Sequence, residues 1–181
     1  TQVNVQSDPT SPAITDILNA GKARIKDAEF DLTMKPSSNL SVSLNYAYLD
    51  AKYLKIVSQT GADVTKNYFF VEAPKNTLSA SAEYYFPKTS IGTFSANVQY
   101  YMQSKKYTSS NDPRYIVGDY GLLNARLTLS DIPVGFGKWE LAVYAKNLTD
   151  EKYYAAYFNT GLPGAMFGEP RSYGVQLSVG F

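Results

Sequence analysis

The sequence predicts an all-β fold, an antiparallel meander of about eight strands that forms a transmembrane β-barrel or part of one. Two observations lead to this prediction. Apolar and polar residues alternate with a period of two along most of the chain, which is the pattern of strands with one apolar and one polar face. The connections between those strands are alternately short and long, as in barrels that have compact turns at one end and large loops at the other.

The composition fits this class and excludes others. The 181 residues include 16 Tyr, 9 Phe and one Trp, yet no apolar run approaches the ~20 residues that a membrane-spanning helix needs. There is no Cys and no His, which excludes disulfides, thiol chemistry, Cys/His zinc sites and imidazole catalysis. With 17 basic and 16 acidic residues the chain has no electrostatic signature of nucleic-acid binding, and we expect no nucleic-acid partner.

Eight strands follow from the alternation. In LSVSLNYAYL, for example, Val42, Leu44, Tyr46 and Tyr48 share one face. The short first strand, residues 1–6, is the weakest of the eight. The predicted strands are 1–6, 28–35, 40–49, 76–86, 93–107, 122–130, 138–146 and 171–181.

The connections divide into two kinds. Residues 35–39, 87–92 and 131–137 are rich in Pro, Gly and Ser and predict tight turns. Four others are predicted as long loops: 7–20, 54–75, 108–119 and 158–169. A soluble β-sandwich also alternates, and it would bury Leu44, Val98, Leu127 and Leu141 between two sheets. Aromatic residues concentrated at strand ends favour the membrane barrel, because an interfacial girdle lies there.

Four stretches carry a resemblance to a known family. They are NAGKARIKDAEFDLTMKP (19–36), LNYAYLDAKY (44–53), KNLTDEKYY (146–154) and GEPRSYGVQLSVGF (168–181). In this order and spacing they resemble the C-terminal barrel half of TonB-dependent outer-membrane receptors. One departure is Asp27, where the family usually has Gly.

The resemblance implies a partial, open segment of a barrel of about 22 strands, with residues 1–181 as the C-terminal segment and the N-terminal plug domain absent. It implies a bacterial outer-membrane location and uptake of a scarce ligand, most often a ferric siderophore. The implied partners are outer-membrane lipid, the protein's own plug and remaining barrel strands, the TonB complex acting through that plug, and the barrel-assembly machinery. No cofactor and no metal site is expected. The segment alone is expected to be incompetent for transport.

Catalysis is not expected. Without His or Cys a hydrolase would need paired carboxylates or a Ser/Lys arrangement, and the acidic residues are scattered. A different class remains open: a complete eight-stranded barrel with a structural or adhesive role, in which residues 1–6 would pair with 171–181.

Two sets of residues are candidates for function. Aromatic side chains in the long loops are suited to stacking on ligand rings, although packing of loop against loop or a place in the upper aromatic girdle is the simpler role for any one of them. These ligand-contact candidates are Tyr68, Phe69, Phe70, Tyr107, Tyr115, Tyr157, Phe158 and Phe167. The last strand ends on an aromatic residue, and its alternation resembles the signal that the barrel-assembly machinery reads. That set is Tyr173, Val175, Leu177, Val179 and Phe181. The polar faces, with Glu83, Gln99, Arg126 and Lys146, are predicted to line the lumen.

Overall fold

A computed structural model describes residues 2–8, 11–58, 61–135, 137–159 and 162–180, with side chains described from residue 21 onward. The described chain forms twelve strands and a one-turn 3-10 helix at Thr65–Asn67. The strands are β1 (Gln2–Asp8), β2 (Ser11–Ser37), β3 (Leu40–Ile56), β4 (Asn76–Tyr85), β5 (Thr93–Gln103), β6 (Lys106–Tyr107), β7 (Ile116–Val117), β8 (Tyr120–Ile132), β9 (Lys138–Lys146), β10 (Tyr154–Asn159), β11 (Pro163–Phe167) and β12 (Ser172–Gly180).

Eight of these strands form one antiparallel sheet in the order β1-β2-β3-β4-β5-β8-β9-β12. Each strand pairs with the next strand of the sheet along the chain, which confirms the predicted meander. Strands β1 and β12 lie at opposite edges of the sheet, so the expectation of a closed eight-stranded barrel, in which 1–6 pair with 171–181, is wrong for the residues described. The sheet is a partial barrel wall.

The register puts side chains of one kind on one face across the sheet. One row, read across five strands, is Leu32, Leu44, Ala80, Tyr100 and Leu123. The next row, on the opposite face, is Thr33, Ser43, Ser81, Gln99 and Asn124. Since the pleat alternates side chains between faces, the whole sheet has an apolar face and a polar face.

The apolar face is exposed rather than buried. Val98, Leu127 and Leu141 are 44%, 43% and 39% exposed, so the soluble sandwich, which would bury them between two sheets, is wrong. Among described residues, three of the four buried hydrophobic side chains, Ile56, Tyr115 and Val117, lie at the end of β3 or in the β5–β8 connection. A sheet whose apolar face meets no second layer is the arrangement expected of a barrel wall that faces lipid.

The turns at one end of the sheet are short, and residues with positive φ lie in or beside them. Asp131, near the end of β8, has φ of 53°, and Gly137, in the β8–β9 turn, has φ of 75°. Gly92 in the β4–β5 turn has φ of 135°, and a Cβ there would overlap the backbone oxygen of Ser130. Short turns are typical of the periplasmic end of outer-membrane barrels.

Two of the predicted long loops are largely strand, so these two predictions are wrong. Residues 7–20 were expected to form a long loop, but Asp8 pairs with Ser11 and β2 runs without a break from Ser11 to Ser37. Residues 158–169 were also expected to be a loop, yet they contain most of the β10–β11 hairpin. Both segments lie beyond the apolar band, where no lipid face requires alternation, so the period-two signal disappears although the strand continues.

Aromatic residues mark both ends of the apolar face, as predicted. Tyr46 and Tyr48 lie toward the long connections, and Tyr84 and Phe86 lie beside a short turn with their rings 4.9 Å apart, edge to face. Among the described residues there is no helix of sufficient length and apolarity to cross a membrane.

Candidate functional site

The three long connections, β3–β4, β5–β8 and β9–β12, all leave the same end of the sheet. Longer loops lie on the extracellular side of outer-membrane barrels. All eight predicted ligand-contact residues belong to these connections, but the structure divides them into packed and exposed residues.

The connection after β3 folds back onto the end of its own strand. Ile56 is fully buried, and Tyr53, Val64 and Tyr68 pack around it. The ring of Phe70 stacks on Tyr53 with centroids 4.3 Å apart. Burial raises the pKa of the Tyr68 hydroxyl above its usual value. Tyr68 and Phe70 therefore hold the loop against the barrel rim.

A second contact joins the β3–β4 connection to the β5–β8 connection. The rings of Phe69 and Tyr107 stack with centroids 4.2 Å apart. Beside them the Glu72 amide donates to the Tyr107 carbonyl at 2.9 Å, and the Glu72 carboxylate binds Lys106. Tyr115 is buried, and its carbonyl accepts from Thr108. The side chains of Phe69, Tyr107 and Tyr115 therefore pack within the loops.

The β10–β11 hairpin is different, because its apolar side chains face outward. Phe167 is 74% exposed and Leu162 at its tip is 80% exposed. Phe158 and Met166 are also exposed, and the ring of Tyr154 contacts both Tyr157 and Phe167, with centroids 4.9 and 5.0 Å apart. The segment 154–167 contains no charged residue. The hairpin is therefore an uncharged, aromatic surface.

The base of this hairpin is held by residues of two of the sequence motifs. Asn147, only 3% exposed, donates from Nδ2 to the carbonyls of Glu151 (2.9 Å) and Glu169 (3.0 Å). Its Oδ1 accepts from the Glu151 amide at 2.8 Å, and its backbone amide donates to Oδ1 of Asn124 on β8. One side chain thus ties together the start and the end of the β9–β12 connection.

A second part of the same base is aromatic. Tyr153 stacks on Tyr120 of β8 with centroids 4.2 Å apart, and its hydroxyl accepts from the Glu169 amide at 3.3 Å. The sequence singled out the motif that contains Tyr153 but not this stack. A long-range contact between two tyrosines has no signature in the local pattern.

Ion pairs within these connections involve most of the described charged side chains there. Asp150 lies 3.0 Å from Lys152 and 3.7 Å from Arg171, so Arg171 pairs with a carboxylate of the β9–β12 connection. Asp112 binds Arg114 at 2.7 Å, which lowers the pKa of its carboxyl below the usual value. No group of three or more His, Cys, Asp or Glu side chains that could hold a metal occurs in the described part of the chain.

The polar face of the sheet carries the predicted lumenal residues. Arg126 binds the Gln176 side chain at 3.1 Å and Glu140 at 3.6 Å. A recess of about 290 Å³ lies between Gln99, Arg126 and Lys146. Glu83 lies on the same face, since its partner in β5, Asn97, is opposite Arg126.

The last described strand alternates as predicted. Tyr173, Val175 and Leu177 point to the apolar face and are well exposed, and Val179 follows them opposite Trp139. Phe181, the terminal member of the predicted assembly signal, lies outside the described residues. The role of this strand in barrel assembly stays a prediction.

Comparison with solved structures finds the same architecture in larger proteins. The chain aligns with the ferric yersiniabactin uptake receptor FyuA from Yersinia pestis at a TM-score of 0.72 and 17% identity, over 92% of this chain and 25% of that one. It aligns with BauA, the ferric preacinetobactin receptor from Acinetobacter baumannii, at 0.72 and 21% identity, over 100% of this chain and 25% of that one. The ferripyoverdine receptor of Pseudomonas aeruginosa aligns at 0.61 and 21% identity, over 97% of this chain and 22% of that one.

The chain thus spans about a quarter of the length of these receptors, and identities this low show the fold alone. Comparison with curated protein sequences found no match. A family model, described as TonB dependent receptor-like, beta-barrel, matches residues 1–148. The chain therefore belongs to the TonB-dependent receptor-like β-barrel family, whose barrels lie in the bacterial outer membrane.

Proposed function

We propose that this chain is the C-terminal barrel segment of an outer-membrane receptor that takes up a ferric siderophore, and that the β10–β11 hairpin contacts the ligand. The names of the aligned structures support the class of ligand, since FyuA, BauA and the ferripyoverdine receptor are receptors for ferric siderophores. The segment acts together with a plug domain and the remaining strands, and the TonB complex drives uptake through that plug. Alone it does not transport.

The choice of contact residues rests on which of the candidate aromatic residues are exposed. Of the eight candidate aromatics, Phe158 and Phe167 on the hairpin have exposed rings, and Tyr157 is half-buried beside Tyr154. Tyr68 and Phe70 pack on Ile56 and Tyr53, and Phe69 and Tyr107 stack on each other. Tyr115 is buried. An exposed ring in an uncharged surface gains free energy when a ligand covers it, whereas a packed ring has already buried its area.

The arrangement below the hairpin supports this role. Asn147 and Tyr153 anchor its base to β8 through Asn124 and Tyr120. A contact surface held in place before binding loses less conformational entropy when the ligand arrives.

The test is binding and uptake by the intact receptor that contains these strands. Phe167→Ala is expected to weaken ferric-siderophore binding roughly tenfold, which corresponds to about 1.4 kcal/mol. Phe86→Ala is the matched control, because Phe86 is an exposed Phe beside a short turn at the opposite end of the sheet. Binding is measured by quenching of intrinsic fluorescence, and uptake by iron-55 accumulation in cells.

Two results would contradict the proposal in different ways. If Phe167→Ala binds as tightly as the unaltered receptor at equal surface abundance, the hairpin is not the contact surface. If the intact receptor accumulates no iron from a panel of catecholate, hydroxamate and carboxylate siderophores, the ligand class is wrong.

A further inference from the structure

The apolar face of β2 and β3 ends abruptly in a cluster of charge. Successive pairs along these strands are Phe30–Tyr46 and Ala28–Tyr48, followed directly by Lys26–Asp50 and Arg24–Lys52. The register is regular from Ala23 to Met34, so all of these residues lie on the same, outward face as the apolar band. The charges therefore face the membrane side of the wall rather than the lumen.

A further cation reaches the same place from the β3–β4 connection. The Lys75 carbonyl accepts from the Leu49 amide at 2.9 Å, and the Lys75 ammonium lies 5.4 Å from the centroid of the Tyr48 ring. Four cations, Arg24, Lys26, Lys52 and Lys75, thus lie at this end of the apolar face together with one carboxylate, that of Asp50. We call these five residues the rim cluster.

The single carboxylate of Asp50 does not neutralise all four cations of the rim cluster. Its Oδ2 is 3.1 Å from Arg24 Nη2 and 3.6 Å from Lys52 Nζ, so both cations share one oxygen. Arg24 Nε is buried and has no acceptor among the described residues. Lys26 is exposed, and the Arg24 and Lys52 side chains are about half exposed. The rim cluster carries four positive charges and one carboxylate, a net charge of +3, and Lys26 and Lys52 are exposed on the outward face.

The position of the rim cluster matches the headgroup layer of a bilayer. Tyr46 and Tyr48 form the aromatic row at the loop end of the apolar band, the row that lies at the membrane interface. Each pair of residues advances ~7 Å along a strand, so Asp50 and Lys52 lie one and two steps above that row. This end carries the long connections, which places the cluster in the outer leaflet.

We propose that the rim cluster binds the phosphate groups of a phosphorylated lipid of the outer leaflet. A guanidinium binds phosphate through paired hydrogen bonds and ammonium groups add point charges. The occupant is a lipid rather than a soluble anion, because the apolar rows directly below, which include Phe30, Tyr46 and Leu44, provide a surface for its acyl chains. The proposal depends on the outer-membrane location and not on the identity of the imported ligand.

The experiment compares lipid binding by variants of the intact receptor in mild detergent, with lipid A as the probe and native mass spectrometry as the readout. The triple variant Arg24→Gln/Lys26→Gln/Lys52→Gln is expected to lower lipid A affinity at least tenfold. The control Lys35→Gln/Lys88→Gln/Lys138→Gln removes the same charge at the end with short turns and is expected to bind as the unaltered protein does. Equal binding by the rim variant and this control would overturn the proposal.

Two further arms address misfolding and the source of the phosphate. Asp50→Asn removes the competing carboxylate and is expected to tighten lipid A binding, a gain that misfolding cannot produce; unchanged or weaker binding counts against the rim cluster. Inorganic phosphate at the same phosphate concentration is expected not to displace the lipid. Displacement would show a site for free phosphate and overturn the assignment to a lipid.

Discussion

The ring of Tyr153 lies directly against the backbone of Gly168, so that a Cβ on Gly168 would overlap the ring. The Gly168 amide also donates to the Tyr153 carbonyl at 2.8 Å. Tyr153 belongs to KNLTDEKYY and Gly168 opens GEPRSYGVQLSVGF, two stretches that are separated in sequence by the β10–β11 hairpin. The two motifs are therefore the two sides of one contact that closes the hairpin at its base.

This contact predicts that Gly168→Ala destabilises the β9–β12 connection. The added methyl group must displace a ring that is stacked on Tyr120, and overpacking of this kind costs about 1–3 kcal/mol. Gly118→Ala is the matched control, since nothing lies within 4 Å of its added Cβ. Limited proteolysis of the intact receptor should cut the 154–167 segment faster in Gly168→Ala only. Equal cutting in the two variants would show that the ring moves aside without cost.

A second prediction concerns Asn147, whose φ of 48° lies in the left-handed region that Asn and Asp tolerate. Asn147→Asp keeps that tolerance and the acceptor for Glu151, but it removes both donors of Nδ2. The Glu151 and Glu169 carbonyls then lose their partner, and we expect a loss of about 1–3 kcal/mol in the free energy of unfolding of the connection. Hydrogen exchange of the Glu151 amide measures the loss directly. Asn67→Asp, at an exposed position, should leave that exchange rate unchanged.

The strands of the wall could be predicted because a bilayer on one face requires apolar and polar residues to alternate along each strand. Residues such as Val98 must be apolar where they meet lipid, while Gln99 beside it faces the lumen, so alternation identifies both strand and face. The extension of β2 over 11–20 could not be found in this way. It lies beyond the apolar band and pairs with β1 through its backbone. Backbone pairing alone does not require apolar and polar residues to alternate, so the sequence shows no period of two there.

The ligand-contact candidates could be listed from the sequence, but they could not be divided into packed and exposed residues. Tyr68, Tyr115 and Phe167 all lie in loop segments and look equivalent in the sequence. The structure separates them by partners distant along the chain, because Tyr68 packs on Ile56 whereas Phe167 is largely exposed. The rim cluster could not be identified without the strand register, since Arg24 and Lys52 become neighbours only through the pairing of β2 with β3.

A third prediction concerns pH and the Asp112 carboxylate in the β5–β8 connection. It accepts from the backbone amide, Nε and Nη2 of Arg114 at 3.0, 3.0 and 2.7 Å. Hydrogen bonds from the Arg114 side chain are the main cause that holds its pKa below the ordinary 3.8. Because the folded pKa is depressed, the stabilisation of this turn is present above pH 3.8 and is lost as the pH falls through the folded value.

Carbon-13 NMR of the Asp112 carboxyl in the detergent-solubilised receptor measures this directly. The titration midpoint is expected below 3.8, and Arg114→Gln should raise it toward 3.8. Lys88→Gln, at the opposite end of the sheet, should not move it. A midpoint at or above 3.8 in the unaltered receptor would mean that the Arg114 side chain does not hold the carboxylate in solution.

The orientation of the wall gives the last prediction, which uses two adjacent residues on opposite faces. Val98 lies near the middle of the apolar face of β5, and Gln99 faces the lumen beside Asn124. Val98→Arg would place a charge near the bilayer midplane, which is expected to cost about 2–4 kcal/mol in folding free energy. Gln99→Arg adds the same side chain to a water-accessible polar face and should cost much less. Urea titration of the intact barrel in lipid vesicles compares the two variants. If Gln99→Arg proved the more destabilising, the assignment of the apolar face to lipid and the polar face to the lumen would have to be reversed.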